Sequence, residues 1–158
     1  MPEIVQLLAS PTHRYAGRPG ERAGSAPDDV VTCLRIRAGL GVVGDRYFNQ
    51  RAHRDASVTV MALEALAPWP GADLHATRRN VLLRGVDVDA AAERTLRLDS
   101  GDGPVLLRLR RRAHPCRWMD VAVGEGAWRG LRGHGGMRCE PLTDGLLRVG
   151  PVDVDWID

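Results

Sequence analysis

Apolar and polar side chains alternate along residues 30–37, with Val30, Thr32, Leu34 and Ile36 on one side and Val31, Cys33, Arg35 and Arg37 on the other. A period of two gathers the apolar set on one face of an extended chain, so the stretch reads as a half-buried strand. The pattern returns at residues 105–110, where Val105, Leu107 and Leu109 oppose Leu106, Arg108 and Arg110. Shorter strands are expected at residues 4–8, 57–61, 80–83, 95–98, 146–149 and 152–156. Helical signal is local: residues 62–67 before Pro68 and Pro70, residues 86–93, and a turn or two after Met119. The fold class expected is therefore mainly β, a closed or nearly closed barrel with a few short peripheral helices. Residues 16–29 lack periodicity and read as a long surface loop.

At 158 residues, the chain has room for one core, so residues 1–158 are expected to form a single domain. No apolar run approaches the ~20 residues of a membrane-spanning helix, and no membrane partner is expected. The apolar residues 4–9 follow Glu3 without a basic segment, which predicts a cytoplasmic protein. A net charge of +2 is too small to call for nucleic acid. Every one of the 22 basic residues is arginine, whose planar fork grips carboxylate or phosphate, so local clusters such as Arg78-Arg79 stay informative. Three widely spaced cysteines, Cys33, Cys116 and Cys139, argue against a disulfide framework and leave at least one thiol for chemistry. The tryptophans Trp69, Trp118, Trp128 and Trp156 are suited either to an interface or to the core.

Gly39 to Gly44 spells GxGxxG after an expected strand, yet no apolar helical stripe follows to present amides to a pyrophosphate. A tight glycine turn delivering Asp45 and Arg46 to a fixed place is the better reading. Cys116 sits in His114-Pro115-Cys116-Arg117, where the flanking positive charge favours thiolate, the form needed for nucleophilic attack, persulfide chemistry or soft-metal ligation. The alternative is an inert, buried cysteine. His114, Cys116, His134 and Cys139 could be drawn as a zinc set, but their spacing lacks the tight ligand pairs of such sites. The run Arg132-Gly133-His134-Gly135-Gly136 can bring backbone amides and an imidazole to an anion, or can simply be a hairpin with an exposed histidine. Arg78, Arg79 and Asn80, at a strand entrance, suit a phosphate or a carboxylate, against the alternative of a solvated pair. If these segments converge at one barrel mouth, they make an anion site that carries a thiol.

Several of these motifs together, in order over nearly the whole chain, resemble the MOSC family, named for the C-terminal domain of molybdenum cofactor sulfurases. The resemblance rests on residues 39–46, 78–87, 114–120, 131–136 and 146–150. It implies a β-barrel that binds molybdenum cofactor (molybdopterin) or carries sulfur, with Cys116 as metal ligand or persulfide carrier. The positions of Arg78 and Arg79 would then face the anionic cofactor, and with the motif readings above, Asp45, Arg46, Asn80, His114, Arg117, Arg132, Gly133, Gly135 and Gly136 are expected around it, with Cys116 and His134 as catalytic groups. Stand-alone relatives include reductases of N-hydroxylated compounds. Tyr47 stands where many relatives carry histidine, and Trp118 or Met119 where some carry a second cysteine. The second departure removes a thiol that could resolve a persulfide and so favours ligation over relay. The chain contains no aminotransferase-like sulfurase domain, so pyridoxal phosphate is not expected, and a separate reductase or cysteine desulfurase is the implied partner.

Overall fold

The computed structural model describes residues 1–13 and 27–158. Twelve strands run β1 (Glu3–Leu8), β2 (Val30–Val31), β3 (Cys33–Arg37), β4 (Gly41–Val42), β5 (Val58–Ala62), β6 (Val81–Arg84), β7 (Thr95–Asp99), β8 (Pro104–Arg112), β9 (Met137–Pro141), β10 (Gly145–Arg148), β11 (Gly150–Pro151) and β12 (Asp153–Ile157), with helices α1 (Trp118–Ala122) and α2 (Ala127–Gly130) between β8 and β9. The larger sheet has the order β11-β1-β6-β5-β9-β8-β7-β12, with β2 also on β1; β10-β3-β4 form a smaller one. The chain is thus mainly β with two short α-helices. The hydrogen-bonded path is open, ending at β11 and β12, which are consecutive in sequence with only Val152 between them. No helix among the described residues is long and apolar enough to cross a membrane.

The main core gathers the inward positions of both sheets, including Ile4, Leu34, Ile36, Val60, Leu107 and Leu147. β5 and β6 are covered on both faces. Val60 and Val81 point into this core, while Met61 and Leu82 turn outward beneath a second cluster with Trp118, Met119 and Leu131. That double burial explains why apolar residues occupy both faces of the two strands, and among the described residues β5 and β6 are the pair that runs parallel, with Val60 opposite Val81. The second cluster seats α1 and α2 on the sheet and so fixes the segment that carries Cys116.

Three expectations about local structure change. Residues 30–37 are not one strand: the chain bends at Thr32, so that Val30–Val31 pairs with β1 while Cys33–Arg37 pairs with β10 and β4. Residues 86–93 form turns instead of a helix, because Val86, Val88 and Ala91 are drawn into the core and the backbone bonds across to β8, through Glu93 N to Leu109 O and Leu109 N to Arg94 O. The long loop expected over residues 16–29 lies outside the described residues apart from its last three, a 3-10 turn at Pro27–Asp29.

Trp69 fills the space over α2. Its indole Nε1 donates to Glu125 O at 2.9 Å, and a Cβ on Gly130 would stand 2.5 Å from the ring. Trp118 is buried, whereas Trp128 and Trp156 are partly buried against the two clusters. The tryptophans therefore fill the core or its margin.

Candidate functional site

Five chain segments meet around a cavity of about 250 Å³: the segment after β1 at His13, the turn after β4, the entrance to β6, the β8 to α1 connection and the start of β9. Each is held by backbone contacts that the sequence explains. Gly44 adopts φ +86°, a conformation glycine takes without strain, and the turn it begins puts Asp45 under the cavity. Both Asp45 oxygens accept from the chain itself, Oδ1 from Ser10 N at 3.0 Å and Oδ2 from Tyr47 N at 3.2 Å. The GxGxxG stretch is thus a strand and a turn that set Arg46 and Tyr47, with no helix at its end.

At the β6 entrance, Asn80 is a structural knot. Its Oδ1 accepts from Thr59 N and Thr59 Oγ1, and its Nδ2 donates to Leu8 O at 3.0 Å and Asp45 Oδ1 at 3.2 Å. An amide side chain has two donors and one acceptor oxygen with two lone pairs, so nothing is left for a ligand. Asp45 and Asn80, both expected at the cofactor, lie behind the cavity wall and hold it in place. Arg78 has φ +60° and turns its guanidinium to Asp29, with Nη1 to Oδ2 at 2.9 Å and further bonds from Nη2 to Ser10 Oγ and Thr12 O. It lines the cavity while tying the β6 entrance to the segment after β1.

Arg79 points differently. Its Nε donates to Gly135 O at 2.9 Å, and it has no carboxylate partner among the described residues. Burial, reinforced by the neighbouring positive charge of Arg138, pulls its pKa down to about 10, so it remains a cation at neutral pH but an under-solvated one. Arg138 comes from β9 and holds its guanidinium 5.7 Å from the Tyr47 ring centre. Arg46 approaches the same ring at 4.6 Å and lies 3.4 Å from Asp45. Its Nε is buried with no hydrogen-bond partner among the described residues. Cations held over a tyrosine face are fixed in orientation, which prepares them for a ligand.

Cys116 completes the site. It is exposed, lines the same cavity, and accepts Met119 N on its carbonyl as α1 begins. His114 and Pro115 line the cavity beside it. Among the described residues no second thiol approaches: Cys33 lies half-buried on β3, and Cys139 is in the core, where burial pushes its thiol pKa up and leaves it inert.

The other predicted residues separate from this cavity. Arg117 and Arg132 do not line it; their guanidinium groups lie 4.9 and 5.3 Å from the Trp128 ring centre. His134 is exposed and lines a different cavity, of about 720 Å³, so Arg79 and Cys116 share a pocket without it. The glycines serve the chain's own packing. A Cβ on Gly135 would meet Ala113 O at 2.3 Å, and one on Gly136 would meet Val60 O at 2.1 Å. Gly133 has open space around its Cβ position, and its carbonyl accepts Arg112 Nη1. With His134 in another cavity and Cys139 in the core, His114, Cys116, His134 and Cys139 do not converge on one point.

Sequence reasoning missed Arg138, His13 and the contribution of Tyr47. Arg138 was legible in principle, because Met137, Cys139 and Pro141 alternate with Arg138 and Glu140 as a half-buried strand should. The glycines before it drew the segment into a loop reading instead.

A mainly β fold thus sets one exposed thiol in a cavity with several arginines. The fold is similar to that of the YuaD protein from Bacillus subtilis, with a TM-score of 0.71 and 14% identity over 99% of this chain and 96% of that one. It is also similar to YiiM from Escherichia coli, TM-score 0.59 and 14% identity over 98% of this chain and 70% of that one. YiiM from Geobacillus stearothermophilus gives 0.57 and 14% over 98% and 75%. At this identity the likeness is one of fold. No family model matches the chain, and no curated protein matches it by sequence.

Proposed function

We propose that this is a MOSC-type domain, a barrel closed through the C-terminal strand, that binds molybdenum cofactor in the cytoplasm with Cys116 as thiolate ligand and reduces an N-hydroxylated substrate. The observation that carries this reading is the placement of the exposed Cys116 thiol in one cavity with Arg46, Arg79 and Arg138. Three further points support it. The motifs resemble the MOSC family in order, and the fold is similar to those of YuaD and YiiM. The strands that end the open sheet are consecutive in sequence, β11 on β1 and β12 on β7, so the chain itself joins the two edges at Val152.

The residues present fit the group. An orphaned buried Arg46 Nε and two arginines without carboxylate partners among the described residues suit a phosphate-bearing cofactor, and a thiolate suits a soft, redox-active metal. When bound, the cofactor would supply a metal that accepts an oxygen atom in a two-electron exchange. The chain's own part is to bind and orient. Arg79 and Arg138 would hold the phosphate, Arg46 would take a further oxygen, and Asp45 and Asn80 would keep the cradle rigid behind them. A separate reductase would supply electrons.

Expression in a host that makes the cofactor, followed by metal analysis, tests this reading. Near-stoichiometric molybdenum is expected in the wild type and its loss in Cys116→Ser. Absence of molybdenum from the wild type would overturn it. Arg79→Ala is expected to weaken binding of pyrophosphate, as a stand-in for the cofactor phosphate, by about ten- to a hundredfold, the equivalent of one charge-assisted hydrogen bond of ~1.5–3 kcal/mol. His134→Ala, altering the other cavity, is expected to leave that affinity unchanged, as titration calorimetry would show.

The exposure of Cys116 favours a second reading, in which the thiol carries a persulfide received from a cysteine desulfurase and no metal is involved. Mass spectrometry after incubation with a desulfurase and cysteine separates the two: a sulfur adduct confined to Cys116 supports relay, and an unmodified Cys116 removes it.

A further inference from the structure

The larger cavity, about 720 Å³, carries the opposite charge from the first and belongs to none of the chemistry above. Its apolar surface comes from Ala62, Ala65 and Val86, and its polar groups include Glu64, Asp87 and Asp89. Asp89 is 8% exposed. Its Oδ1 accepts Gly136 N at 3.0 Å, while Oδ2 accepts no hydrogen bond among the described residues. Glu64 and Asp87 likewise accept only backbone amides there, from Gly85 and Ala90.

Neighbouring cations do not neutralise this group. Arg84 pairs with Glu3, and Arg112 donates to Gly133 O. His134, on the cavity wall, and Arg112 act on Asp89 only through space, without an ion pair. Burial, the largest influence, pushes the Asp89 carboxyl above its usual range despite the Gly136 amide. A largely buried carboxylate whose Oδ2 opens into a cavity with apolar walls suits a partner that supplies both charge and hydrocarbon.

We propose that this cavity binds an organic cation, a protonated amine, amidinium or guanidinium attached to an apolar body, with its charged end at Asp89 and its body over Ala62, Ala65 and Val86. The site is separate from the arginine cavity and does not depend on the molybdenum reading. The cation can belong to a free small molecule or to an arginine side chain of a peptide, since the recognising chemistry is shared.

Benzamidine, its neutral counterpart benzamide, and an acetylated Gly-Arg-Gly amide are the probes, titrated into the 15N-labelled full chain. Benzamidine is expected to shift the Gly136 and Val86 amides saturably, with benzamide at least about tenfold weaker. Asp89→Asn keeps an acceptor for Gly136 N and is expected to weaken benzamidine about tenfold. Should that variant fail to fold, Glu64→Gln, at an exposed position, is expected to weaken it about threefold. Cys116→Ser is expected to bind benzamidine as the wild type does, which separates this site from the proposed cofactor function. Tighter binding of benzamidine assigns the cation to a small molecule, and tighter binding of the peptide assigns it to a protein side chain. Equal binding of benzamidine and benzamide, no saturation at concentrations on the order of 10 mM, or shifts confined to Tyr47 and Arg138 would overturn the proposal.

Discussion

Alanine at Gly136 is expected to lower the thermal midpoint by about 10 °C or more, the equivalent of roughly 4 kcal/mol in a domain of this size. Two causes add. Gly136 has φ +87°, which costs any residue with a Cβ about 1–3 kcal/mol. The added carbon would also stand 2.1 Å from Val60 O and 3.0 Å from Met61 Cα, backbone atoms of β5 that cannot move aside without disturbing its pairing with β6 and β9. Gly136 is further tied on both sides, its N to Asp89 and its O to Ala113 N. Against a total stability of ~5–15 kcal/mol, such a loss leaves a fold close to its threshold. His134→Ala, two residues away and exposed, is the control: its midpoint is expected to stay within about 1–2 °C of the wild type, read by calorimetry.

Asn80→Ala is expected to cost about 3 kcal/mol, for a different reason. The amide ties the end of β1 at Leu8 O, the edge of β5 at Thr59 N, and the turn after β4 through Asp45. Its removal leaves the Thr59 N–H and the Leu8 carbonyl, on strands whose side chains are buried, without this partner. Because Asp45 also loses a donor, the turn that carries Arg46 and Tyr47 is expected to loosen. Pyrophosphate affinity should therefore fall together with stability. Chemical denaturation and calorimetry on the same variant check both, and a loss of stability with unchanged affinity would show that Asn80 does not position the cavity wall.

Much of the scaffold was legible in the sequence because period-two patterning survives wherever one face of a strand is solvated. β8 shows this, with Val105, Leu107 and Leu109 buried and their neighbours partly open. β3 shows it only from Cys33 onward, since the bend at Thr32 moves the chain between sheets, and no local signal marks such a change of partner. Residues 86–93 misled for the same reason: an alanine-rich run with capping aspartates has local helical preference, but its backbone found partners on β8. At the site, residue types announced themselves while their direction did not. Arg79 and Cys116 were readable as a cation and a thiol, and the structure places them in one cavity. Asn80 and Asp45 were equally visible, yet only tertiary contacts reveal that their polar atoms are engaged by the chain. The glycines at 135 and 136 likewise mark a close approach, to the chain's own carbonyls.

Alkylation of Cys116 in the presence and absence of pyrophosphate tests most directly whether thiol and arginines form one anion site. Iodoacetamide is neutral, so its rate reports access to the thiol, followed by mass spectrometry of the peptide containing Cys116. Saturating pyrophosphate is expected to slow the reaction at least about tenfold in the wild type. In the double variant Arg79→Ala, Arg138→Ala, protection is expected to vanish while the rate without pyrophosphate stays that of an exposed thiol. Equal alkylation rates of the wild type with and without pyrophosphate, at a concentration where calorimetry shows it bound, would contradict the account by placing the anion away from Cys116.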